Sequence, residues 1–440
     1  MHFRPTAFNI IVHTPNGFDL KIAVIGAGIA GMGCAWALSK VHDVVLLEKD
    51  ARIGGHSRTL DVPVSGKTVP VDTGFIVFNR PNYPNLFGLF DHLNVPYVKS
   101  AMSFGVSLGG GTFEYGTGGI SSFLGQVSNL FKPRFWRMFF DIVRFNRSAK
   151  DELDGSLTLG ELLDKLRLGK DFRNRYLLPM AASIWSTPQE RMLDFPAEPF
   201  LRFFDNHGLL TLFSQPQWYT VEGGSKEYVQ RLVEDYSGGI RLSSNIEKVT
   251  RAQEGVVIQF SGGETQEYDG VVFACHADQS RTLLSDIDAQ EYEVLKDLNF
   301  QTNRVITHKD ARSMPKRRRC WSSWIYLDET NTAENAEGNR KLSLTYWMNN
   351  LQPLKTDESV FVTLNPDELP SDFVDEWTTE HPRFDQAAID AQKSLAQIQG
   401  HRNTYYCGAW TGFGFHEDGL RSGLDVAEKL GATVPWRSDK

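Results

Sequence analysis

The apolar and polar pattern near the start of the chain predicts a strand, a tight turn, a helix and a second strand. From Lys21 the sequence reads KIAVIGAGIAGMGCAWALSK: a short β-branched apolar run, a glycine-rich turn and then small residues at helical spacing. HDVVLLEKD follows, a second apolar run that ends at Glu48. Because continuous apolar strands are typical of a buried parallel sheet, this segment is predicted to form a βαβ unit.

Three glycines in the turn occupy the positions of a dinucleotide-binding motif. Gly26, Gly28 and Gly31 fit G-x-G-x-x-G between a predicted strand and a predicted helix, a context that makes the match specific. The first glycine permits the tight turn, the second lets the backbone approach a pyrophosphate, and the third lets helix and strand pack closely. Glu48 stands about 20 residues further on, where an acid binds a ribose diol. The segment therefore predicts a Rossmann-like nucleotide site.

The pattern along the rest of the chain predicts two interleaved domains. Residues 80–215 are rich in Phe, Trp, Leu and Arg at helical spacing, and residues 285–399 contain strand-like runs such as RVITH, CWSSWIYL and SVFVTL. Buried strands and glycine-rich turns return in 216–284 and 400–435. We expect an α/β fold in which a Rossmann-like nucleotide domain, 20–79 with 216–284 and 400–435, alternates with an α+β substrate domain that contains an antiparallel sheet, 80–215 with 285–399.

Charge and cysteine usage exclude several function classes. The 440-residue chain carries 46 Lys and Arg against 54 Asp and Glu, a formal net charge of -8, which argues against a nucleic-acid partner. Cys34, Cys275, Cys320 and Cys407 show no paired spacing, so we expect no metal site, no disulfide framework and a cytoplasmic location. The first 20 residues hold too short an apolar run for a signal peptide, and no stretch is long enough to span a bilayer.

The residues after Glu48 indicate which dinucleotide the site binds. EKDARIGGHSRT places Arg52 and then Gly54 and Gly55 directly after the ribose-binding acid. This run resembles the extended motif of the flavin amine oxidase and phytoene desaturase superfamily, whose paired glycines lie near the pyrophosphate and ribityl chain of FAD. VDTGF, VEGGSKEYVQRL and YYCGAWTGFGFHEDGLRSGLDVAEKL resemble further segments of the same superfamily. The resemblance implies an oxidoreductase that uses FAD. Because the sequence has no recognisable attachment motif, we expect the FAD to be noncovalent.

The same resemblance assigns the expected FAD contacts. VDTGF corresponds to the turn near the isoalloxazine ring, and the last helix corresponds to the one that points at the flavin pyrimidine ring. The sequence departs from the family at His56, where Arg or Asn is usual, and at Ala409, where much of the superfamily has an acid. The expected contacts are Gly26, Ala27, Gly28, Ile29, Ala30, Gly31, Glu48, Lys49, Arg52, Gly54, Gly55, His56, Ser57, Thr73, Gly74, Phe75, Ile246, Asp418, Gly419, Leu420 and Ser422.

A narrower resemblance bears on the substrate. NRVITHKD, MPKRRRCWSSW and LTYWMNNLQ resemble a bacterial branch of FAD/NAD-binding proteins linked to cyclopropane-fatty-acid synthases. That branch implies a fatty-acyl substrate and a lipid methyltransferase as partner. We therefore expect hydride removal from a hydrophobic, acyl-type substrate. Oxidation of an amine stays open as one alternative, and a non-catalytic flavin protein that assists such a methyltransferase stays open as another.

Three residues are candidates for chemistry beside the flavin. In amine oxidases a lysine on a second-domain strand lies over the ring, and Arg304 occupies the matching position here. Because arginine stays protonated, it would anchor a carboxylate rather than act as a base. His308 shares a strand face with Arg304, and His416 precedes the flavin-facing turn. The alternatives are that His308 is an exposed strand histidine and that His416 is a turn histidine bonded to the backbone.

One segment is basic although the whole chain is acidic. Residues 120–147, ISSFLGQVSNLFKPRFWRMFFDIVRFNR, contain one acid, Asp141, and the cations Lys132, Arg134, Arg137, Arg144 and Arg147. A basic, aromatic amphipathic helix can lie on an anionic membrane surface and admit a lipid. The segment therefore predicts either peripheral contact with the inner membrane or a substrate-domain helix with an aromatic core face and solvated arginines.

Overall fold

The two apolar runs that flank the glycine motif form two neighbouring strands of a five-stranded parallel sheet. A computed structural model describes residues 20–152, 157–185, 192–206, 208–210, 216–252, 255–328 and 343–437. The strands in chain order are β1 (Lys21–Ile25), β2 (Asp43–Leu47), β3 (Thr59–Val64), β4 (Lys67–Asp72), β5 (Phe78–Asn79), β6 (Tyr97–Ser100), β7 (Phe104–Leu108), β8 (Phe113–Gly116), β9 (Trp218–Val221), β10 (Gly239–Arg241), β11 (Ile246–Arg251), β12 (Val256–Phe260), β13 (Thr265–Tyr268), β14 (Gly270–Phe273), β15 (Phe300–His308), β16 (Trp324–Asp328), β17 (Leu344–Trp347), β18 (Phe361–Leu364), β19 (Phe373–Pro382) and β20 (Thr404–Tyr406).

The parallel sheet has the strand order β10-β2-β1-β14-β20, and every neighbouring pair is parallel. The helices in chain order are α1 (Ile29–Leu38), α2 (Pro84–His92), α3 (Ile120–Phe123), α4 (Pro133–Ser148), α5 (Leu159–Lys165), α6 (Lys170–Phe172), α7 (Leu178–Trp185), α8 (Ala197–Asn206), α9 (Lys226–Asp235), α10 (Ala277–Leu283), α11 (Ala289–Leu295), α12 (Met348–Leu351), α13 (Gln386–Ser394) and α14 (His416–Lys429). Helix α1 joins β1 to β2, which confirms the predicted βαβ unit.

Helix α1 is buried along its whole length because it packs against the sheet and against α14. A Cβ atom on Gly31 would lie 1.8 Å from the carbonyl oxygen of Gly26, and one on Gly423 would lie 2.2 Å from that of Ala30. A Cβ atom on Gly33 would lie 2.5 Å from the Leu420 side chain. Only glycine permits these approaches, so the motif glycine and the glycines of α14 bring both helix N-termini to one place.

The second large sheet is mixed rather than purely antiparallel. Its strand order is β19-β15-β18-β17-β16-β7-β8, and β16 pairs with β7 in parallel while the other neighbours are antiparallel. Strands β7 and β8 lie within residues 80–215, where helical spacing predicts helices. Their local order depends on partners far along the chain, since β7 pairs with residues 324–328. Helices α3 to α8 pack beside this sheet around a separate aromatic core.

A buried carboxylate ties three parts of the chain together. Asp72, at the end of the β3–β4 hairpin, accepts hydrogen bonds from Ser225 N at 2.8 Å, Thr59 Oγ1 at 2.6 Å and Gln352 Nε2 at 2.8 Å. Burial raises the pKa of Asp72 to about 6, although the hydrogen bonds from Thr59 and Ser225 counteract the shift. The carboxylate therefore fixes the hairpin against the start of α9 and against the segment after α12.

Strand pairing also crosses the predicted domain limits. Strand β9 pairs with β5 and with β6, so residues 97–100 share a three-stranded sheet with residues 218–221. The limits at residues 80 and 216 stay a prediction. No helix in the described part of the chain is long and apolar enough to cross a membrane.

We expect Gly423→Ala to lower stability, because its new methyl group meets the Ala30 carbonyl and forces α1 and α14 apart. Overpacking of this kind costs about 1 to 3 kcal/mol. The matched control is Gly239→Ala, where a Cβ atom would meet only Val45 side-chain atoms at an ordinary 3.7 Å. Urea unfolding followed by circular dichroism would show a lower midpoint for the first variant alone. Equal midpoints would contradict the close-packing interpretation.

Candidate functional site

A cavity of about 1650 Å³ lies where the carboxyl ends of the parallel strands face the mixed sheet. Ile25, Leu47, Ala274 and Gly408 line it from the parallel sheet, and residues 377–382 of β19 line it from the other side. Ligands of open α/β sheets bind at this edge. Pockets for drug-sized ligands reach roughly 1,000 Å³, so the cavity has room for a dinucleotide and a further ligand.

The glycines of the two motifs meet at the wall of the cavity. Gly26 has φ +106°, and a Cβ atom there would lie 2.9 Å from the Ala274 carbonyl oxygen. Gly28 is extended, with φ -74°, and an added Cβ atom would meet nothing within 4 Å. Gly55 has φ +56° and lies against Gly28, since its Cβ atom would be 2.9 Å from the Gly28 Cα atom. Bare backbone therefore faces open space at Gly28.

The acid and the cation that follow β2 are held by backbone groups. Glu48 is buried, and its two carboxylate oxygens accept hydrogen bonds from Ala27 N at 2.7 Å and from Asp50 N at 2.9 Å. Each oxygen keeps a further lone pair for a ribose hydroxyl. Arg52 donates to the carbonyl oxygens of Gly55 at 2.7 Å and Ser57 at 3.1 Å, and so braces the loop of the second glycine pair.

Most of the residues expected to contact FAD lie on the cavity wall. They are Gly26, Ala27, Gly28, Ile29, Ala30, Glu48, Lys49, Arg52, Gly55, His56, Gly74, Phe75 and Ile246. The others lie outside the wall and shape the turns behind it: Gly31, Gly54, Ser57, Thr73, Asp418, Gly419, Leu420 and Ser422. The residues expected from the resemblance thus fall into wall residues and supporting ones, and their contacts with FAD stay a prediction.

The turn before α14 illustrates this difference. Asp418 turns back and accepts hydrogen bonds from Phe413 N at 3.0 Å and Phe415 N at 3.1 Å, and Ser422 Oγ accepts one from Gly408 N at 2.9 Å. These side chains satisfy the backbone of the turn rather than facing the cavity. The wall residues here are Gly408, Ala409, Trp410, Phe413, Gly414, Phe415 and His416.

His416 lies on the wall at the first position of α14. Its ring stacks on Phe75 with 3.8 Å between centroids, and its Nε2 atom is 2.8 Å from the hydroxyl of Tyr228, which is hydrogen-bonded to Ser57. Burial, with a smaller effect from His56, lowers the pKa of His416 to about 3. The imidazole is therefore neutral at ordinary pH and is a poor proton donor.

Three other histidines face the same cavity. His56 is bonded through Nε2 to Thr379 Oγ1 at 2.7 Å and stacks on His381 at 5.5 Å between ring centroids. Burial lowers the pKa of His56 and of His276 to about 4, and that of His381 to about 3. The site thus holds neutral imidazoles, which contribute hydrogen bonds without a positive charge.

Arg304 and His308 lie away from the cavity wall, which corrects their expected place beside the flavin. Arg304 forms an ion pair with Glu376 on β19, with 2.6 Å between Nε and the nearer oxygen. His308 is fully buried on the same strand face, where Nε2 is 2.7 Å from Thr363 Oγ1 and Nδ1 accepts from Asp310 N at 3.1 Å. Because a shift of one residue along a strand turns a side chain to the opposite face, residue spacing alone could not decide whether Arg304 and His308 face the cavity.

The residues that take this place come from β19, which sequence reasoning missed. Trp377, Thr379 and His381 alternate along the strand and face His56, and Asn303 of β15 lies opposite Thr379 and bonds to His381 at 2.9 Å. The signal was present as the alternation in VDEWTTEHP. It could not be assigned to this site without knowing that β19 pairs with β15.

The described residues fit a flavin dinucleotide. The open backbone at Gly28 and the N-terminus of α1 suit a pyrophosphate. The buried acid at Glu48 suits a ribose, and the N-terminus of α14 suits an electron-rich ring. The buried indole nitrogens of Trp324 and Trp377 find no hydrogen-bond partner within the described residues. Because an unpaired buried donor is costly, acceptor atoms of a bound ligand would stabilise this arrangement.

We expect stability to fall with acidification through His308. Burial depresses its pKa to about 4, below the value of about 6.5 for an unfolded chain. The unfolded state therefore binds more protons, so the contribution is full above pH 6.5 and is lost by about 1.4 kcal/mol per unit as pH falls toward 4. Urea midpoints from pH 7 to pH 5 would show a shallower slope for His308→Gln. The control Thr363→Val should lose stability but keep the wild-type slope, and identical slopes in all three proteins would refute the assignment.

The chain is similar to a known protein family. The family model described as flavin containing amine oxidoreductase matches residues 29–430. A search of curated proteins gives no significant match. The CLA-producing fatty acid isomerase from P. acnes has a similar structure, with TM-score 0.68 and 16% identity over 94% of this chain and 99% of that chain.

Two oxidases of amines have similar structures as well. A variant of putrescine oxidase aligns with TM-score 0.68 and 14% identity over 93% of this chain and 98% of that chain. Cyclohexylamine oxidase from Brevibacterium oxydans aligns with TM-score 0.66 and 14% identity over 94% and 99%. At such identities the structural likeness shows the fold alone.

The family match confirms the predicted superfamily, the FAD cofactor and an oxidoreductase activity, whereas the link to cyclopropane-fatty-acid synthases stays a prediction. The match begins at the start of α1, after Gly26 and Gly28, and includes Gly54 and Gly55, the mixed sheet and α14. The chain belongs to the family of flavin-containing amine oxidoreductases and is an FAD-dependent oxidoreductase.

Proposed function

We propose that this oxidoreductase removes hydride from a fatty-acyl chain. The observation that supports the proposal is the apolar chamber that continues from the flavin site between the mixed sheet and helices α3 to α8. Its wall includes Met102, Phe104, Ile120, Phe123, Leu124, Phe135, Phe139, Ile142, Met180, Ile184, Phe203 and Leu209. Burial of an acyl chain in such a chamber is favourable by about 0.8 kcal/mol for each methylene. A small charged amine would gain little there.

The polar groups at the flavin end of the cavity are suited to orienting a substrate. FAD, when bound, supplies the hydride acceptor, and the α14 N-terminus beside the cavity favours negative charge. His416 and His56 are neutral and are anchored to Tyr228 and Thr379. They can hold a polar group of the substrate and exclude water, while the aromatic wall keeps the reacting carbons in a dry environment.

The structural neighbours are compatible with two substrate classes. The fatty acid isomerase from P. acnes is named for an acyl substrate, and the two oxidases are named for amines. The apolar wall favours the acyl class for this chain. A lipid methyltransferase as partner stays part of the proposal, implied by the narrower sequence resemblance.

Anaerobic absorbance of the purified, FAD-loaded protein would test the proposal. Free fatty acids and phospholipids, with saturated, unsaturated and methyl-branched chains, would be titrated in parallel with a panel of amines. We expect an acyl compound to bleach the visible absorbance of the oxidised flavin. Bleaching by amines alone would replace the acyl substrate with an amine, and an unreactive flavin would favour the non-catalytic alternative.

We expect Gly28→Ala to reduce FAD content without loss of fold. The Cβ atom meets no protein atom within 4 Å, so a methyl group there affects only what occupies the cavity. The ratio of flavin to protein absorbance should fall at least tenfold, while the circular dichroism spectrum stays that of the wild type. Gly239→Ala should retain full flavin content. Normal flavin content in Gly28→Ala would contradict a close approach of the cofactor to this backbone.

We expect Ile184→Asn to raise the KM for an acyl substrate about tenfold, because a polar amide replaces an apolar wall group. The matched control is Ile287→Asn, since Ile287 is also half-buried but packs in a different core, outside the cavity wall. Steady-state rates with one fatty acid would compare both variants. An unchanged KM in Ile184→Asn, or the same increase in Ile287→Asn, would argue against acyl binding in the chamber.

A further inference from the structure

Large apolar side chains are exposed in one region of the surface, from α3 to α4. Phe131 is 84% exposed, Ile120 76% and Phe140 61%, and Val127 and Trp136 are exposed as well. We refer to Ile120, Val127, Phe131, Trp136 and Phe140 as the entrance patch. Scattered exposed hydrophobic residues are ordinary, but a cluster of this kind marks an interaction site.

The exposed rings of α4 are not members of a core. The helix buries Phe135, Met138, Ile142 and Phe145 at a spacing of three or four residues, and that face packs in the helical core beside the mixed sheet. Trp136 and Phe140 lie on the opposite, exposed side. Helix α4 therefore has two apolar faces, and the outer one has no covering element in the described part of the chain.

The entrance patch is continuous with the substrate chamber. Ile120 and Trp136 belong to both, since each is exposed at the surface and each lines the cavity. Phe123 and Phe139 line the cavity between them and the deeper wall. The chamber thus reaches the surface among the exposed apolar groups, so a chain that enters there never needs to cross a polar rim.

Cations surround the same patch. Arg134 and Arg147 are exposed, and their side chains have no hydrogen-bond or ion-pair partner among the described residues. Arg137 is exposed and paired with Asp171 at 3.0 Å, and Arg144 is exposed and lies 3.7 Å from Asp141. The positive charge stands out because the whole chain has a formal net charge of -8.

We propose that the entrance patch docks the protein on an anionic lipid surface and passes an acyl chain from that surface into the chamber. Apolar rings would enter the acyl boundary, and the surrounding arginines would contact the anionic headgroups. The delivery of substrate rests on the proposed function, whereas the docking itself rests only on the patch and its charges. Of the two predictions for residues 120–147, the proposal develops membrane contact and assigns it to named side chains.

Charge complementarity favours lipid over a second copy of the chain. A two-fold symmetric dimer through this patch would bring the same surface of both protomers together. Arg134, Arg137, Arg144 and Arg147 of one copy would then approach those of the other, and such like-charge contacts are unfavourable. An anionic headgroup layer offers opposite charge to the arginines and a hydrocarbon region to the rings.

Vesicle co-sedimentation of the FAD-loaded full chain tests the docking surface. The vesicles would be phosphatidylcholine alone, or phosphatidylcholine with phosphatidylglycerol at physiological salt. We expect binding to the anionic vesicles, and at least a tenfold loss of affinity in Phe131→Ser/Phe140→Ser. The control is Leu369→Ser/Phe373→Ser, which removes two apolar groups that are 55% and 47% exposed on another surface and should bind like the wild type.

A separate pair of variants tests the contribution of the arginines to vesicle binding. Arg134→Gln/Arg147→Gln should lose about 30-fold in affinity for the anionic vesicles, because each interfacial cation contributes about fivefold. Lys67→Gln/Lys248→Gln removes the same charge from exposed positions elsewhere and should behave like the wild type. None of these substitutions alters a residue of the cavity wall, so bleaching of the flavin by detergent-dispersed fatty acid should be unchanged.

The outcomes separate docking from the proposed function. No binding, equal binding to neutral and anionic vesicles, or equal losses in the control variants would overturn the docking surface. So would a stable dimer in light scattering that Phe131→Ser/Phe140→Ser dissociates, since the patch would then bind a second copy. Vesicle binding with the expected pattern, together with a flavin that no acyl compound bleaches, would sustain docking and refute the acyl oxidoreductase.

Discussion

The site depends on the close approach of two helices to one turn of backbone. A Cβ atom on Gly31 would overlap the Gly26 carbonyl oxygen, and one on Gly423 would overlap the carbonyl of Ala30. These two contacts bring α1 onto the first turn and α14 onto α1. Because of this packing, both helices begin at the same cavity, so two partial positive charges and the bare backbone of Gly28 share one region. Glu48, Arg52 and His56, which are expected to hold the cofactor, line the same cavity.

The mixed sheet converts this nucleotide site into a chamber. Asp72 fixes the β3–β4 hairpin against the start of α9 and against Gln352, while the contact of His56 with Thr379 joins the second glycine loop to β19. Burial keeps His56 neutral, so the connection does not depend on an ion pair. The aromatic core of α3 to α8 then closes the far side, which explains why a polar binding edge and a long apolar wall occur in one cavity.

The same helices connect the chamber to the surface. Helix α4 places Phe135 and Ile142 on the chamber wall and presents Phe140 with exposed arginines on its outer side. An amphipathic helix normally buries its single apolar face. A second apolar face that stays exposed to water is unfavourable unless a partner or a membrane covers it. The proposed docking on lipid would give both faces a role, because the outer face would meet the membrane and the inner face would receive the acyl chain.

The sequence by itself determined the nucleotide half of the protein. The turn at Gly26 and the acid at Glu48 act through backbone geometry within a short segment, so their spacing predicted the βαβ unit and a dinucleotide site. The resemblance of the paired glycines and later segments to the flavin amine oxidase superfamily then implied FAD. Only the tertiary structure decided the rest. Arg304 and His308 proved to lie away from the cavity, and Trp377 and His381 to face it, because strand register is set by pairing between β15 and β19, more than 70 residues apart at Arg304 and Glu376. The alternation within each strand is visible in the sequence, but it does not show which face meets the cavity until the pairing partner is known.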